Sequence, residues 1–376
     1  MFDRALTSVN HDGAPGDLAV VFDDRRRFAA IGLYDPTSPI RVRILHQGDP
    51  VAIDADWWYA RVAAAMDRRA TLAASDRTTG YRVVHGENDG FPGLVVDRYG
   101  ATFVVKAYSP AWLPHIGAVV DALGSLAGPE RIVLRLSRAV RSAAPAFDGV
   151  ALTGRLPTEP VRFREEGLAF EADVVRGQKT GHFLDQRDNR VRVGRRADAA
   201  RVLDVFACTG GFSVHAAAGG ATEVVSVDQS APALETARRN MAHNEGSALV
   251  RTCRHDVVVG DAFTVMADLA RRGGQFDLVV VDPPSFASRQ SKVPSALHAY
   301  GRLTGLAVAL VAPGGVLVQA SCSSRVTPED FAASVERGAR VAGRPLSVFD
   351  RTGHPIDHPI GFPEGAYLKA IFAEVR

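Results

Sequence analysis

Four short stretches carry residue types that can do chemistry together. "LVQASCSSRV" sets Cys322 between serines at the end of an apolar run, in a chain with only three cysteines. "FDLVVVDPPSF" ends another apolar run on Asp282, ahead of Pro283, Pro284 and Phe286. "EVVSVDQS" ends on Asp228, and "DVFACTGGFSVHAA" carries Asp204 and the pair Gly210–Gly211. A thiolate beside a carboxylate, next to a nucleotide-like cofactor, suits attack on an electron-poor ring such as cytosine or uracil at carbon 6. Addition there makes carbon 5 nucleophilic enough to take a methyl group. An acidic side chain ending a strand can take both hydroxyls of a ribose. The glycine pair lets the backbone turn tightly and approach a ligand. The two prolines donate no backbone hydrogen bond and bias Asp282 toward an extended backbone, which stiffens the strand exit.

Each stretch also has a plain structural reading. Free cysteine is commonly a small buried core residue, and that reading is kept for Cys208 and Cys253. The glycines can be a turn, the aspartates solvated, and D-P-P a strand exit. "TGGF" is not G-x-G-x-x-G, so a dinucleotide-dependent oxidoreductase is the weakest enzyme reading.

What decides is the set of elements that must position these residues. From about residue 170, near-continuous apolar strands alternate with helices: "RVLDVFA", "EVVSVDQ", "FDLVVVDPP" and "GGVLVQASC" as strands, "APALETARRNMAHN" and "ALHAYGRLTGLAVALV" as helices. That pattern predicts a parallel sheet covered on both faces. Ligands of such sheets sit at the carboxyl ends of the strands. Asp204, Asp228, Asp282 and Cys322 all fall at such ends, so Cys322 and "DPPSF" should border one cleft.

Two units precede this sheet. Residues 1 to about 70 read as β-rich, with strands in "DLAVVFD", "FAAIGLY" and "PIRVRILH". A helix follows over "DADWWYARVAAAMDRRATL", capped by Asp54 or Asp56, with Trp57, Val62 and Met66 facing inward. Residues about 76 to 165 read as mixed α+β: strands in "YRVVHGENDGFPGLVVDRYGATFVVKAY" and "RIVLRLS", a helix in "PHIGAVVDALGSLA", and a hairpin leading out. At 376 residues, two or three domains are expected. The net charge of +2 announces no overall basic field. The basic residues are nearly all arginine, the lysines being Lys106, Lys179, Lys292 and Lys369, and arginine clusters can still grip RNA phosphates. No C-x-x-C occurs, so no zinc or other metal site is expected. Sparse cysteines, no apolar leader and no membrane-length apolar run predict a soluble cytoplasmic protein.

Taken together, the motifs resemble the class I S-adenosylmethionine-dependent RNA methyltransferases. The branch they resemble is the ribosomal large-subunit 5-methylcytosine enzymes with an N-terminal PUA-like domain. "GDLAVVFDDRRRFAAIGLYDPTSPIRVRIL" is similar to the PUA-like unit and "YRVVHGENDGFPGLVVDRYG" to the central domain. "GQKTGHFLDQRDNR", "DVFACTGGFSVHAA", "VDPPSF", "ASCSS" and "PEGAYLK" are similar to the catalytic domain. The resemblance implies an α/β chain in three parts: a PUA-like RNA-binding domain over 1–72 (N-terminally short), a central α+β domain over 73–168, and a Rossmann-like methyltransferase domain over 169–376.

It implies that Gln178, Phe183, Asp185, Gln186 and Arg187 lie near the methionine moiety or the RNA. Asp204, Phe206, Thr209, Gly210 and Gly211 would surround the methionine part. Asp228 and Gln229 would meet the ribose, Asp261 and Ala262 the adenine, with Asn244 and Asp282 also bordering the cofactor. Pro283, Pro284, Phe286 and Lys369 would contact the target base, with Cys322 as nucleophile and Asp282 near the ring nitrogen. The implied partners are S-adenosyl-L-methionine and ribosomal RNA, with a homodimer possible and no membrane or metal. Two motifs depart from the family pattern. Ser285 stands where a lysine usually follows the two prolines, and "ACTGG" replaces a serine–tyrosine pair before "TGG". The runner-up activity is guanine N7 methylation, which needs no cysteine nucleophile; Cys322 favours cytosine. The reading of another class is a non-catalytic RNA-binding assembly factor, against which the cofactor loop and the cysteine both argue.

Overall fold

The computed structural model describes residues 1–10, 12–287 and 289–376. The chain divides into two compact units. The first holds Met1–Gly167, Glu171–Leu184 and Ile356–Pro359; the second holds Leu168–Phe170, Asp185–Pro355 and Ile360–Arg376.

In the first unit, β1 (Leu18–Phe22), β2 (Phe28–Tyr34) and β3 (Val42–Gln47) form an antiparallel sheet in that order. Gly32 allows β2 and β3 to approach: a Cβ there would lie 2.3 Å from the Arg43 carbonyl oxygen. Helix α1 (Ala55–Asp67) is capped by Asp54, whose carboxylate accepts from the Trp57 amide at 2.9 Å. The short α2 (Ala70–Ala73) follows. The buried face of α1 is Trp58, Val62 and Ala65, one residue off the expected Trp57 and Met66. The reason is aromatic packing. Trp58 sits 6.1 Å from Phe91 and 5.6 Å from Trp112, whereas Trp57 is only partly buried, under Arg61 at 4.9 Å. A five-stranded sheet then runs β4 (Gly80–His85), β5 (Leu94–Tyr99), β6 (Thr102–Ala107), β7 (Arg131–Leu136) and β8 (Val150–Thr153). Only β6 and β7 are parallel, joined by the crossover helix α3 (Ile116–Ala127); α4 (Arg138–Ala143) follows β7. Leu33, Leu45 and Trp58 share one buried cluster with Val84, Phe91, Val96, Trp112 and Leu123. Strands β9 (Val161–Glu165) and β10 (Leu168–Ala172) come next in the chain.

The second unit begins with α5 (Arg187–Gly194). It continues through β11 (Arg201–Val205), α6 (Gly211–Ala218), β12 (Glu223–Asp228), α7 (Ala231–Ala242), α8 (Ala248–Thr252) and β13 (Arg254–Val259). Then come α9 (Ala262–Arg271), β14 (Phe276–Val281), α10 (Val293–Leu310), β15 (Val311–Ser321), α11 (Pro328–Val341), β16 (Leu346–Thr352) and β17 (Lys369–Val375). The sheet order is β13-β12-β11-β14-β15-β17-β16. Strands β11 to β15 are parallel, and β17 runs antiparallel to both neighbours. Chain order reverses between β11 and β14, the switch point where such sheets open a crevice. The apolar strands that predict this sheet are buried as expected: Leu203, Val205, Val279, Val281 and Leu317 pack against Leu303 and Val308 of α10. Strands β13, β16 and β17 and helix α11 extend the sheet beyond the strands read from the sequence. Among the described residues, no helix is long and apolar enough to cross a membrane. Nor does any group of three or more His, Cys, Asp or Glu stand where it could hold a metal ion.

Candidate active site

Strands β14 and β15 are adjacent, with Val281 opposite Gln319, so Asp282 and, two residues further along, Cys322 emerge at the same carboxyl edge. The Cys322 thiol lies 3.9 Å from the Pro283 carbonyl oxygen. The serines around it are anchors. Ser321 Oγ pairs with the Tyr300 hydroxyl at 2.8 Å, and Ser323 donates to the Ala287 carbonyl at 3.3 Å. Both serines are fully buried while Cys322 is half-exposed, so the loop is pinned on either side of the thiol. Asp282 is oriented in turn. Gln186 donates to its Oδ1 at 2.9 Å, Asn189 donates to Gln186 Oε1 at 2.6 Å, and Thr352 donates to Asn189 Oδ1 at 2.5 Å. This chain of amides fixes one carboxylate oxygen of Asp282.

The loop after β11 is conformationally committed. φ is +65° at Phe206, +49° at Cys208 and +75° at Gly210. For the two non-glycine residues this costs roughly 1–2 kcal/mol each, so the surroundings must hold it. Asp228 does so: its Oδ2 accepts from the Cys208 amide at 2.9 Å and its Oδ1 from the Ser230 amide at 2.8 Å. Asn240 donates to the Thr209 carbonyl at 2.8 Å. Each Asp228 oxygen accepts one backbone donor, and a carboxylate has capacity for about four. The half-buried carboxylate therefore suits the two ribose hydroxyls of S-adenosylmethionine. Asp261, following β13 on the next strand over, is exposed and caps α9 by accepting from the Thr264 amide at 3.0 Å. Gln229 beside Asp228 is exposed, and Ala262 is buried in the first turn of α9. These residues fit the cofactor.

Other expected site residues are placed differently. Asp204 is fully buried, and its Oδ2 accepts from the Ser213 amide at 3.1 Å and hydroxyl at 2.6 Å, so it clamps the start of α6 under the loop. Gly211 packs in the same turn, where a Cβ would meet the Arg190 side chain at 2.8 Å. Asn244 spends its side chain on structure, bridging Ala169 and the Asn240 carbonyl with bonds of 2.8 Å. Asp185 accepts from the Tyr367 hydroxyl at 2.8 Å, and the buried Arg187 donates to Asp188 at 3.1 Å. Phe286 packs 5.2 Å from Tyr300, whereas Pro284 is exposed and Pro283 buried. Gln178 and Phe183 belong to the first unit, where Gln178 is exposed and the Lys179 ammonium lies 4.1 Å from the centre of the Phe183 ring. Lys369 is buried at 6% exposure, with its ammonium turned to the backbone carbonyls of Ser323 and Val326. Asn189, Asn240, Tyr300 and Thr352 were not read from the sequence. A sequence signal exists for one: Gln186 and Asn189 lie three apart at a helix start, on one face.

Asp204 ends a buried polar chain. Ser213 Oγ reaches Ser226 Oγ at 2.7 Å, and Ser226 reaches His255 Nε2 at 2.8 Å. Burial pushes the Asp204 carboxyl up to about 6, against the Ser213 bonds, with the nearby Asp228 adding to the rise. Burial also brings His255 down to about 4, so it stays neutral near pH 7. Asp204 therefore binds more protons folded than unfolded between its ordinary value of 3.8 and about 6. Stability contributed by this group falls as pH rises through that window. Denaturant unfolding should show native protein losing on the order of 2 kcal/mol between pH 4 and 6.5 relative to Asp204→Asn. Parallel curves would mean that Asp204 ionises normally.

Comparison with known proteins agrees with this fold. Residues 140–373 match the S-adenosylmethionine-dependent methyltransferase family, and residues 1–47 match the PUA-like domain family. A ribosomal RNA large subunit methyltransferase of Deinococcus radiodurans is 45% identical, covering 100% of this chain and 93% of the relative. Ribosomal RNA large subunit methyltransferase I of Photobacterium profundum is 37% identical, covering 100% and 95%. Among solved structures, a SAM-dependent methyltransferase from Streptococcus mutans superposes with a TM-score of 0.83 at 22% identity, covering 100% of this chain and 95% of that one. A methyltransferase complexed with SAH gives 0.85 at 22%, with the same coverage. With the strand order, the family match and the full-length relatives in agreement, this chain belongs to the S-adenosylmethionine-dependent methyltransferases, in the family of the ribosomal RNA large subunit enzymes.

Proposed function

We propose that the protein methylates carbon 5 of a cytosine in 23S ribosomal RNA through a covalent Cys322 adduct. The observation that carries this reading is the Cys322 thiol 3.9 Å from the Pro283 carbonyl oxygen, beside an Asp282 already oriented by Gln186. When bound, the cofactor supplies an electrophilic methyl group on a sulfonium sulfur. The chain's own part is as follows. Cys322 adds as a thiolate to carbon 6 and forms a carbon–sulfur bond. The ring electrons move toward carbon 5, with Asp282 beside the ring nitrogen supporting the charge change. Once carbon 5 is substituted, its proton leaves to a base, the double bond re-forms, and the thiolate departs. Pro283 and Pro284 keep the strand exit stiff, so that a flat base meets fixed groups.

The names of the relatives support ribosomal RNA as substrate. The three-part division at 72/73 and 168/169, a cytoplasmic location and a homodimer belong to the same proposal. Arginines of the first 168 residues give the RNA its phosphate contacts. RNA carrying 5-fluorocytosine at the target should trap a stable adduct, because fluorine at carbon 5 cannot leave as a proton. Peptide mapping should find the nucleotide on Cys322. Turnover of that RNA without any adduct would sink the covalent route.

A further inference from the structure

We infer that Lys369, on the strand beside the nucleophile, is a cation that favours the ionised form of Cys322. Lys369 opens β17 directly opposite Ser321, the residue before Cys322. Its ammonium donates to the Ser323 carbonyl at 2.5 Å and the Val326 carbonyl at 2.6 Å, gripping the loop that carries the thiol. Only 6% of the residue is exposed, and no carboxylate pairs with it among the described residues. Neutral carbonyls solvate a buried ammonium without cancelling its charge, and a neighbouring thiolate is an anion that can.

The Asp282 carboxylate, which follows the adjacent strand, opposes a second negative charge at Cys322. Burial pushes the Tyr300 phenol on α10 up to about 12, helped by the charges of Cys322 and Asp282, so it stays neutral. The exposed Ser285, where a lysine would be expected, brings no charge to this edge. Burial brings Lys369 itself down to about 8, while the charge of Cys322 pulls it back up, the reciprocal of the same attraction. Lys369 is thus a positioning residue. It fixes the loop through two carbonyls and lowers the proton affinity of a sulfur it does not replace in the chemistry.

The test reads the thiol rather than turnover. Iodoacetamide labelling of Cys322 in the full chain, followed by peptide mass spectrometry from pH 5 to 10, gives its ionisation midpoint. Lys369→Met should move that midpoint up by at least one unit and slow labelling at pH 7 at least tenfold. Lys369→Gln, which keeps donors for the two carbonyls but no charge, should do the same. Lys369→Arg should stay within threefold of the native rate. Cys208 and Cys253, both pushed up to about 11 by burial, should label slowly throughout and report any loss of fold. A folded Met or Gln variant with the native midpoint overturns the inference, as does a uniform slowing at all pH values. The inference rests on the proposed nucleophile for its catalytic meaning, and the two fail separately. A shifted midpoint without a 5-fluorocytosine adduct keeps the ion pair and discards the carbon-5 route.

Discussion

Cys322→Ala will bind S-adenosylmethionine with native affinity and methylate cytosine at least roughly a thousandfold more slowly. The substitution removes one sulfur, whose approach to the Pro283 carbonyl oxygen at 3.9 Å is too long to hold the loop. The loop keeps its shape because Ser321 and Ser323, not the cysteine, anchor it to Tyr300 and Ala287. The loop after β11, two strands from β15 in the sheet, is held by Asp228 and Asn240 instead. The whole effect should therefore fall on turnover. Cys322→Ser should behave the same way, since a hydroxyl stays protonated near neutral pH and carbon 6 goes unattacked. Single-turnover methyl transfer with excess enzyme measures this directly. A near-native rate in Cys322→Ala would falsify the covalent scheme and make direct transfer to a ring nitrogen the better reading.

The parallel half of the catalytic sheet was legible because its strands are buried on both faces. Runs such as Val224–Val227 and Leu278–Val281 leave little choice but a covered parallel strand, and the aspartates after them mark its carboxyl edge. The far edge was not legible. Strand β16 alternates half-buried and exposed residues, with Phe349 in the open, and a long Gly/His/Pro loop separates it from β17. Lys369 shows the same limit at the level of one side chain. A lysine at a strand start reads as a surface residue or an RNA contact. Only the pairing of β17 with β15 turns its ammonium inward beneath the Cys322 loop. Asp204 and Asn244 failed in the other direction. Their chemistry suits a ligand equally well, but side-chain type does not say whether a polar group faces a pocket or braces the backbone that forms it. The face of α1 slipped by one residue because both Trp57 and Trp58 satisfy helical periodicity, and the choice belongs to Phe91 and Trp112, distant in sequence.

Asp228→Ala should lower S-adenosylmethionine affinity at least tenfold, for two additive reasons. The carboxylate is the acceptor proposed for the ribose hydroxyls, and hydrogen bonds to a charged group are worth roughly 1.5–3 kcal/mol, or about a factor of ten or more in Kd. It is also the brace of the loop. Without it the Cys208 and Ser230 amides lose their acceptors, and the left-handed backbone at Phe206 and Cys208 loses a restraint on its return to ordinary geometry. Asp228→Asn separates the contributions. Its amide oxygen can keep one backbone bond, but its nitrogen cannot accept the second, so it should fall between native and alanine. Calorimetry with S-adenosylmethionine and with S-adenosylhomocysteine measures both variants. The losses should match for the two ligands, because they share the ribose and differ only at sulfur. Unchanged affinity in a folded Asp228→Ala would remove Asp228 from the site, and a loss confined to one ligand would place it at the sulfur end instead.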